Sequence, residues 1–133
     1  MTKKRYQLQQ RDNLLWLSAA VGSFDRRRFV ARLLLDTGSS FTVLHSDVLT
    51  GLGYDLTISD RRVTIIVASG RLSLPIVQAA WLSLLGQRLE NIAIVAHTFP
   101  TGVFFDGVLG LDLLNQLNVS IQVRKAQVTL DDE

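Results

Sequence analysis

The stretch Val30-Ala31-Arg32-Leu33-Leu34-Leu35-Asp36-Thr37-Gly38-Ser39-Ser40-Phe41-Thr42-Val43-Leu44 decides how this chain is read. An apolar run broken only by Arg32 stops at an aspartate, passes through small polar residues, and turns apolar again at Phe41. A carboxylate at the end of a buried strand has to be hydrogen-bonded, paired or functional, because an isolated buried charge is strongly unfavourable. Its neighbours suit that need. Thr37, Ser39 and Ser40 carry hydroxyl donors, and Gly38 lets backbone, or a second chain, come close to the carboxylate with no Cβ in the way. An ordinary turn with an Asx-type cap would use the same residue types, so Asp36-Thr37-Gly38 is weak on its own and its surroundings carry the weight. Three leucines precede it, and Gly107-Val108-Leu109-Gly110-Leu111 echoes it further along the chain.

Outward from that loop, short apolar runs alternate with turn signals. Residues 14–21 and 29–35 read as two antiparallel strands around Gly22-Ser23 and the charged turn 25–28. Residues 46–52 place Val48, Leu49 and Leu52 at helical spacing, with Gly51 and Gly53 around their end, and predict one short helix. The β-branched run 62–67, then Ala68-Ser69-Gly70-Arg71, then residues 72–77 predict a hairpin. A further strand pair, 79–85 and 89–96, flanks Gly86-Gln87. Leu113, Leu114 and Leu117 give residues 111–117 the period of a second short helix, and strands 119–123 and 127–130 follow. Many short strands with few helical residues predict an all-β barrel or sandwich. No internal repeat or long linker divides it, so the organisation expected is a flexible basic arm over 1–13, one domain over 14–130, and an acidic tail over 131–133.

Composition supports a folded domain and narrows its partners. With 47% hydrophobic and 20% charged residues in 133, the chain can bury a core of its own, and disorder along most of its length is excluded. The formal charge of +2 sits in clusters such as Lys3-Lys4-Arg5 and Arg26-Arg27-Arg28 with no aromatic residues interleaved, so no nucleic-acid partner is expected. The chain has no cysteine, which excludes disulfides, a thiol nucleophile and zinc–thiolate ligation, and suits a reducing, cytoplasmic setting. The run 14–21 after basic residues has the outline of a weak signal sequence, and export stays open as the alternative. Asp12 and Asn13 abut that run, and it is far too short to cross a bilayer, so a first strand and no membrane are the preferred reading. His45 and His97 stand apart in the sequence without partner ligands, so neither a metal nor a histidine base is expected, and nothing calls for a cofactor.

Residues 14 to 130 resemble a retropepsin-type aspartic protease, the single-domain class of retroviral proteases and their bacterial relatives. Leu35-Asp36-Thr37-Gly38 matches the family's catalytic loop, Val108-Leu109-Gly110 matches the hydrophobic pair and glycine that pack beneath it, and residues 111–117 match the helix that follows. The resemblance implies a closed acid-protease barrel with one or two short helices, acting as a twofold symmetric homodimer on a peptide or protein substrate. It makes Asp36 the catalytic residue. Thr37 would bond across the dimer axis, Gly38 would present its N–H to the carboxylate, and Ser39 would donate to the outer carboxylate oxygen. The hairpin between the two motifs corresponds to the flap, with Ala68, Ser69 and Gly70 at its tip. Retroviral members pair an acidic residue two places after the loop glycine with an arginine after the later glycine. Those positions are Ser40 and Leu111 here, so that brace is missing.

The chemistry follows from charge. Two carboxylates a few ångströms apart cannot both ionise cheaply, so they share a proton, and the pair can act as base and acid at once. One chain supplies a single Asp-Thr-Gly. Asp106-Gly107 is the other aspartate nearby in the pattern, but it lacks the hydroxyl residue. A symmetric dimer would place Asp36 opposite its own copy. The competing reading is a non-catalytic dimerisation or peptide-binding module on the same fold.

Overall fold

A computed structural model describes residues 3–58 and 60–131 of the chain. Residues 3–11, expected to be a flexible arm, instead form two strands, β1 (Lys3–Gln7) and β2 (Gln9–Arg11). Two apolar side chains tie them down: Tyr6 packs against the core, and Leu8 is only 3% exposed. Asp12 and Asn13 then make the two-residue turn into β3 (Leu14–Gly22), with φ of 51° and 63°. Asn and Asp adopt that left-handed backbone more readily than other L-residues, and two such residues in succession suit the twist of a hairpin.

β3 runs antiparallel to β4 (Arg28–Leu35), which leads to the Asp36 loop. The chain re-enters the sheet as β5 (Val43–His45) and continues into α1 (Ser46–Gly51), whose first turn His45 caps by accepting the Asp47 N–H at Nδ1, 3.0 Å away. A hairpin of β6 (Arg62–Val67) and β7 (Gly70–Leu84) follows, then β8 (Gln87–His97). The two strands expected over 72–77 and 79–85 are one continuous strand, because β7 changes partner midway: its first half pairs with β6 up to Pro75, and from Ile76 it pairs with β8. The last elements are β9 (Gly107–Leu109), α2 (Leu111–Leu117), β10 (Val119–Gln122) and β11 (Gln127–Asp131). Asp131, assigned from sequence to an acidic tail, is the last residue of β11 and pairs with Lys3; the rest of that tail lies outside the described residues.

The fold is mostly β. Eight strands lie in the order β2-β3-β4-β9-β5-β8-β7-β6, and a further β3–β7 pairing bends the sheet over the core, while β1, β11 and β10 form a small second sheet. Alternating residues point inward: Leu17, Ala19 and Val21 on β3, Ala31 and Leu33 on β4, and Ile92, Ile94 and Ala96 on β8 are buried. α2 closes the core with Leu113, Leu114 and Leu117. Leu33, Leu44, Leu82, Ile94 and Leu109 are fully enclosed, so truncating any one to alanine costs about 2–5 kcal/mol. No helix among the described residues is long and apolar enough to cross a membrane.

One feature of the sheet positions the site. The three-residue β9 lies between β4, to which it is parallel, and β5, to which it is antiparallel. Leu35 is thereby opposite Leu109, and Val43 opposite Val108, so the two sequence motifs become neighbours. Gly107 is required there, because a Cβ would run into the Val43 carbonyl oxygen of the adjacent strand.

Candidate active site

Asp36 is the first residue past β4, and its backbone N–H still continues the ladder by donating to the Leu109 carbonyl, 3.1 Å away. The chain then reverses tightly, with the Ser39 N–H donating to the Asp36 carbonyl at 3.1 Å. That turn brings the Gly38 N–H to Asp36 Oδ1 at 2.9 Å, the contact the resemblance implied for it. The carboxylate is exposed, and so are Thr37 and Gly38. Thr37 makes no hydrogen bond to any described residue, while Ser39 is engaged elsewhere. Its Oγ donates to the Phe41 carbonyl at 2.7 Å, so the expected bond from Ser39 to the outer carboxylate oxygen is replaced by one that tightens the loop.

The loop rests on the start of α2. Leu111 N–H donates to the Ser39 carbonyl at 2.8 Å, and Gly110 N–H donates to Thr42 Oγ1 at 3.1 Å. The place of the missing Ser40/Leu111 ion pair is taken by residues that sequence reasoning passed over. Thr42, 1% exposed, donates its N–H to Asp112 Oδ2 at 3.0 Å and its hydroxyl to Asp112 Oδ1 at 2.8 Å. The only signal for Thr42 was a hydroxyl residue inside the apolar run Phe41-Thr42-Val43-Leu44. Asp112 gave none. Val108 is half-buried, while Leu109 and Gly110 are buried directly under the loop.

The other candidate carboxylate is placed out of reach. Asp106 lies just before β9, where its Oδ2 accepts the Arg32 N–H at 2.8 Å and its own N–H donates to the Arg32 carbonyl at 2.8 Å. Arg32 precedes Asp36 by four residues along an extended strand, a separation of roughly 13 Å. Asp106 therefore stitches β9 to β4 and offers nothing to Asp36.

A cleft of about 500 Å³ opens beside Asp36, lined by Gly38, Ser39, Ser40, Phe41 and Val43 on one side and by Thr64, Ile65 and Ile66 of β6 on the other. Ala68, Ser69 and Gly70 sit at the exposed tip of the β6–β7 hairpin and do not line it. Gly70 has φ of +134°, which few other residues adopt. A separate cleft of about 440 Å³ between Arg27, Phe29, Val48 and Leu52 is more apolar, but Asp47 is its only carboxylate, so it holds no arrangement for acid–base chemistry.

The histidines, apart in sequence, are neighbours in space. His45 and His97 are in register on β5 and β8, and Phe99 packs edgewise against both rings at 5.6 and 5.4 Å. Among the described residues no group of three or more His, Asp or Glu side chains is placed to hold a metal ion.

A mostly β fold carrying one Asp-Thr-Gly loop above a hydrophobic pair and glycine, with a hairpin flanking the cleft, is the retropepsin-like arrangement. The chain belongs to the aspartyl protease family, whose family model matches residues 22–113. Its fold is similar to that of a retropepsin-like aspartic protease from Rickettsia conorii, with a TM-score of 0.69 and 20% identity over 97% of this chain and 92% of the other. It is also similar to the retroviral protease-like domain of Ddi1 from Leishmania major, with a TM-score of 0.61 and 15% identity over 90% of each chain. A search of curated protein sequences returned no relative.

Proposed function

We propose that this chain is one half of a homodimeric aspartic endopeptidase whose catalytic pair is Asp36 and the Asp36 of a second copy. The observation that carries this is an exposed carboxylate, oriented by the Gly38 N–H on a well-braced loop, with no second carboxylate lining its cleft among the described residues. Twofold symmetry supplies the missing group, since the same exposed loop on two copies meets at the axis. Thr37, exposed and without a hydrogen bond among the described residues, would bond across that axis.

In the assembled pair one carboxylate is charged and the other protonated, because two like charges at short range cannot both persist. The charged member takes a proton from a bound water as its oxygen attacks the peptide carbonyl carbon, and the protonated member gives its proton to the carbonyl oxygen. The tetrahedral diol then collapses. The nitrogen takes a proton from one carboxyl, the C–N bond breaks, and a hydroxyl proton returns to the other carboxylate, leaving a free acid and a free amine. Phe41, Val43, Ile65 and Ile66 give the cleft apolar surface beside its polar groups, which suits extended peptide segments with hydrophobic side chains. The β6–β7 hairpin is the element that would close over such a segment, adding backbone hydrogen bonds as a neighbouring strand would.

The test is cleavage of a peptide library between about pH 4 and 7 by wild type and Asp36→Asn. Loss of cleavage in the variant is expected, and equal cleavage by both sinks the aspartic mechanism. Specific activity should rise with protein concentration. A chain that sediments only as monomer at micromolar concentration, even with a transition-state-mimicking inhibitor, rules out the shared site.

A further inference from the structure

The backbone of the Asp36 loop is held from behind by hydrogen bonds within one chain, and the support beneath it runs through two residues. Thr42 accepts the Gly110 N–H at its hydroxyl, and donates both its N–H and its hydroxyl to the Asp112 carboxylate. Asp112 Oδ1 also accepts the Leu113 N–H at 2.8 Å, so the carboxyl group receives three donors. The next links are the Leu111 N–H to the Ser39 carbonyl and the Ser39 N–H to the Asp36 carbonyl. A continuous path of hydrogen bonds and two intervening peptide units thus runs from α2 to the loop that carries the carboxylate. From this we infer that the buried Thr42–Asp112 pair is a positioning clamp that sets the Asp36 loop in its working shape in the single chain, before a second copy arrives.

The physical case rests on burial. Thr42 is enclosed, and Gly110 is buried, so the Gly110 N–H has no water to turn to if the hydroxyl is removed. The Asp112 carboxylate, half-buried, would lose a donor at the same moment. The loop would then relax toward other pairings, and small displacements of a catalytic group lower turnover steeply. A clamp of this kind also removes loop ordering from the cost of forming the dimer, since the half-site arrives already shaped. Both residues act through Asp36 and touch no substrate, so they position the reaction and do not perform it. Their catalytic consequence rests on the reading given above.

The experiment uses the full chain as wild type, Thr42→Val, Thr42→Ser and Asp112→Asn. Thr42→Val keeps the shape and deletes the hydroxyl, while Thr42→Ser keeps the hydroxyl. In dilute, monomeric wild type the amides of Ser39, Gly110 and Leu111 should be protected from hydrogen exchange. Thr42→Val should speed exchange there by about 10- to 100-fold, with the Leu8 amide, bonded to Ala126 on the far sheet, unchanged. In peptide cleavage, Thr42→Val should lower kcat by about tenfold or more with KM within about twofold of wild type, and Thr42→Ser should restore kcat. Asp112→Asn should follow Thr42→Val, because its amide NH₂ cannot accept the bond that one carboxylate oxygen accepts. Rapid exchange at Ser39 and Leu111 in wild type overturns the clamp even if no variant folds. So does unchanged exchange in a folded Thr42→Val or Asp112→Asn. An inactive wild type with the predicted protection would instead defeat the peptidase reading and leave the clamp standing.

Discussion

Replacing Gly110 by alanine is a sharp test of how the site is supported. Gly110 has φ of −98° and ψ of −179°, an extended backbone open to any residue, so glycine is needed there for space and not for conformation. A Cβ built on it would stand 2.5 Å from the Phe41 carbonyl oxygen, 2.6 Å from its carbon and 2.9 Å from the Ser39 carbonyl oxygen. All three are backbone atoms of the Asp36 loop, which cannot swing aside as a flexible side chain would. To regain ordinary contact the loop must retreat by about 0.9 Å, which strains the Leu111-to-Ser39 and Gly110-to-Thr42 hydrogen bonds together. Overpacking of this kind costs about 1–3 kcal/mol of stability. A displacement near 1 Å of a catalytic group costs about 100-fold in rate. The assay pairs kcat/KM on a cleaved peptide with a urea unfolding curve, so that lost activity is separated from lost fold. Gly51→Ala is the control. A Cβ at Gly51 meets nothing within 4 Å, and alanine at that helix end should leave activity unchanged. Activity of Gly110→Ala within about threefold of wild type would refute the claim that Gly110 leaves room for the loop.

Three further outcomes follow from contacts outside the loop. Tyr54 ties α1 to the sheet by donating its hydroxyl to the Gly22 carbonyl at 2.7 Å and accepting the Ala80 N–H at 2.8 Å. Tyr54→Phe should therefore lose about 1–3 kcal/mol of stability, read as a lower urea midpoint. At Gly22 a Cβ would fall inside the Trp81 indole, so Gly22→Ala should displace that ring from its place under Arg88 and shift the tryptophan emission to the red; an unchanged spectrum would contradict the packing. The Asp25 carboxyl is held well below the usual carboxylate range, first by the Arg27 hydrogen bond and then by Ser23. A depressed carboxyl contributes stability that is present above its unfolded value and lost as pH falls through its folded one, so the Asp25 contribution should be present at neutral pH and disappear only in strong acid. Titration by carbon NMR should show Arg27→Gln raising the Asp25 value more than Ser23→Ala does.

How much was legible in the sequence depended on whether a signal was local. Helices 111–117 and 46–52 were readable because their leucines recur at helical spacing over one or two turns, and β3 and β4 because their apolar runs end in turn residues. β1 and β2 were missed because only Tyr6 and Leu8 mark a period of two among lysines and glutamines, and because Asp12 and Asn13 were weighed only as polar residues abutting the apolar run 14–21, not as a turn. β5 and β9 are three residues each, too short to show any period, and they exist as strands only because the rest of the sheet places partners on both sides. The division of β7 into two strands failed for a related reason. Where a long strand exchanges one partner for another, proline and a change in burial pattern look like an end.

The Asp36 loop was legible as chemistry but not as mechanics. An aspartate after three leucines, followed by hydroxyl residues around a glycine, announces a carboxylate that needs explaining, and that much survives translation into coordinates. Which groups hold it does not, since Ser39 had the right chemistry to bond the carboxylate and bonds the Phe41 carbonyl instead. The turn geometry decides this: the same reversal that aims the Gly38 N–H at Asp36 leaves the Ser39 hydroxyl near its own strand. Thr42 and Asp112 are further apart in sequence than any local pattern reaches, and become partners only because β9 draws α2 under the loop. The structure therefore relocates the weight of the site. Support for Asp36 comes from behind, through α2, and its outward face is left exposed, with Thr37 beside it making no hydrogen bond among the described residues. A loop braced on one side and bare on the other is what the proposed dimer requires, since on that reading the symmetry of a second copy gives it a second carboxylate.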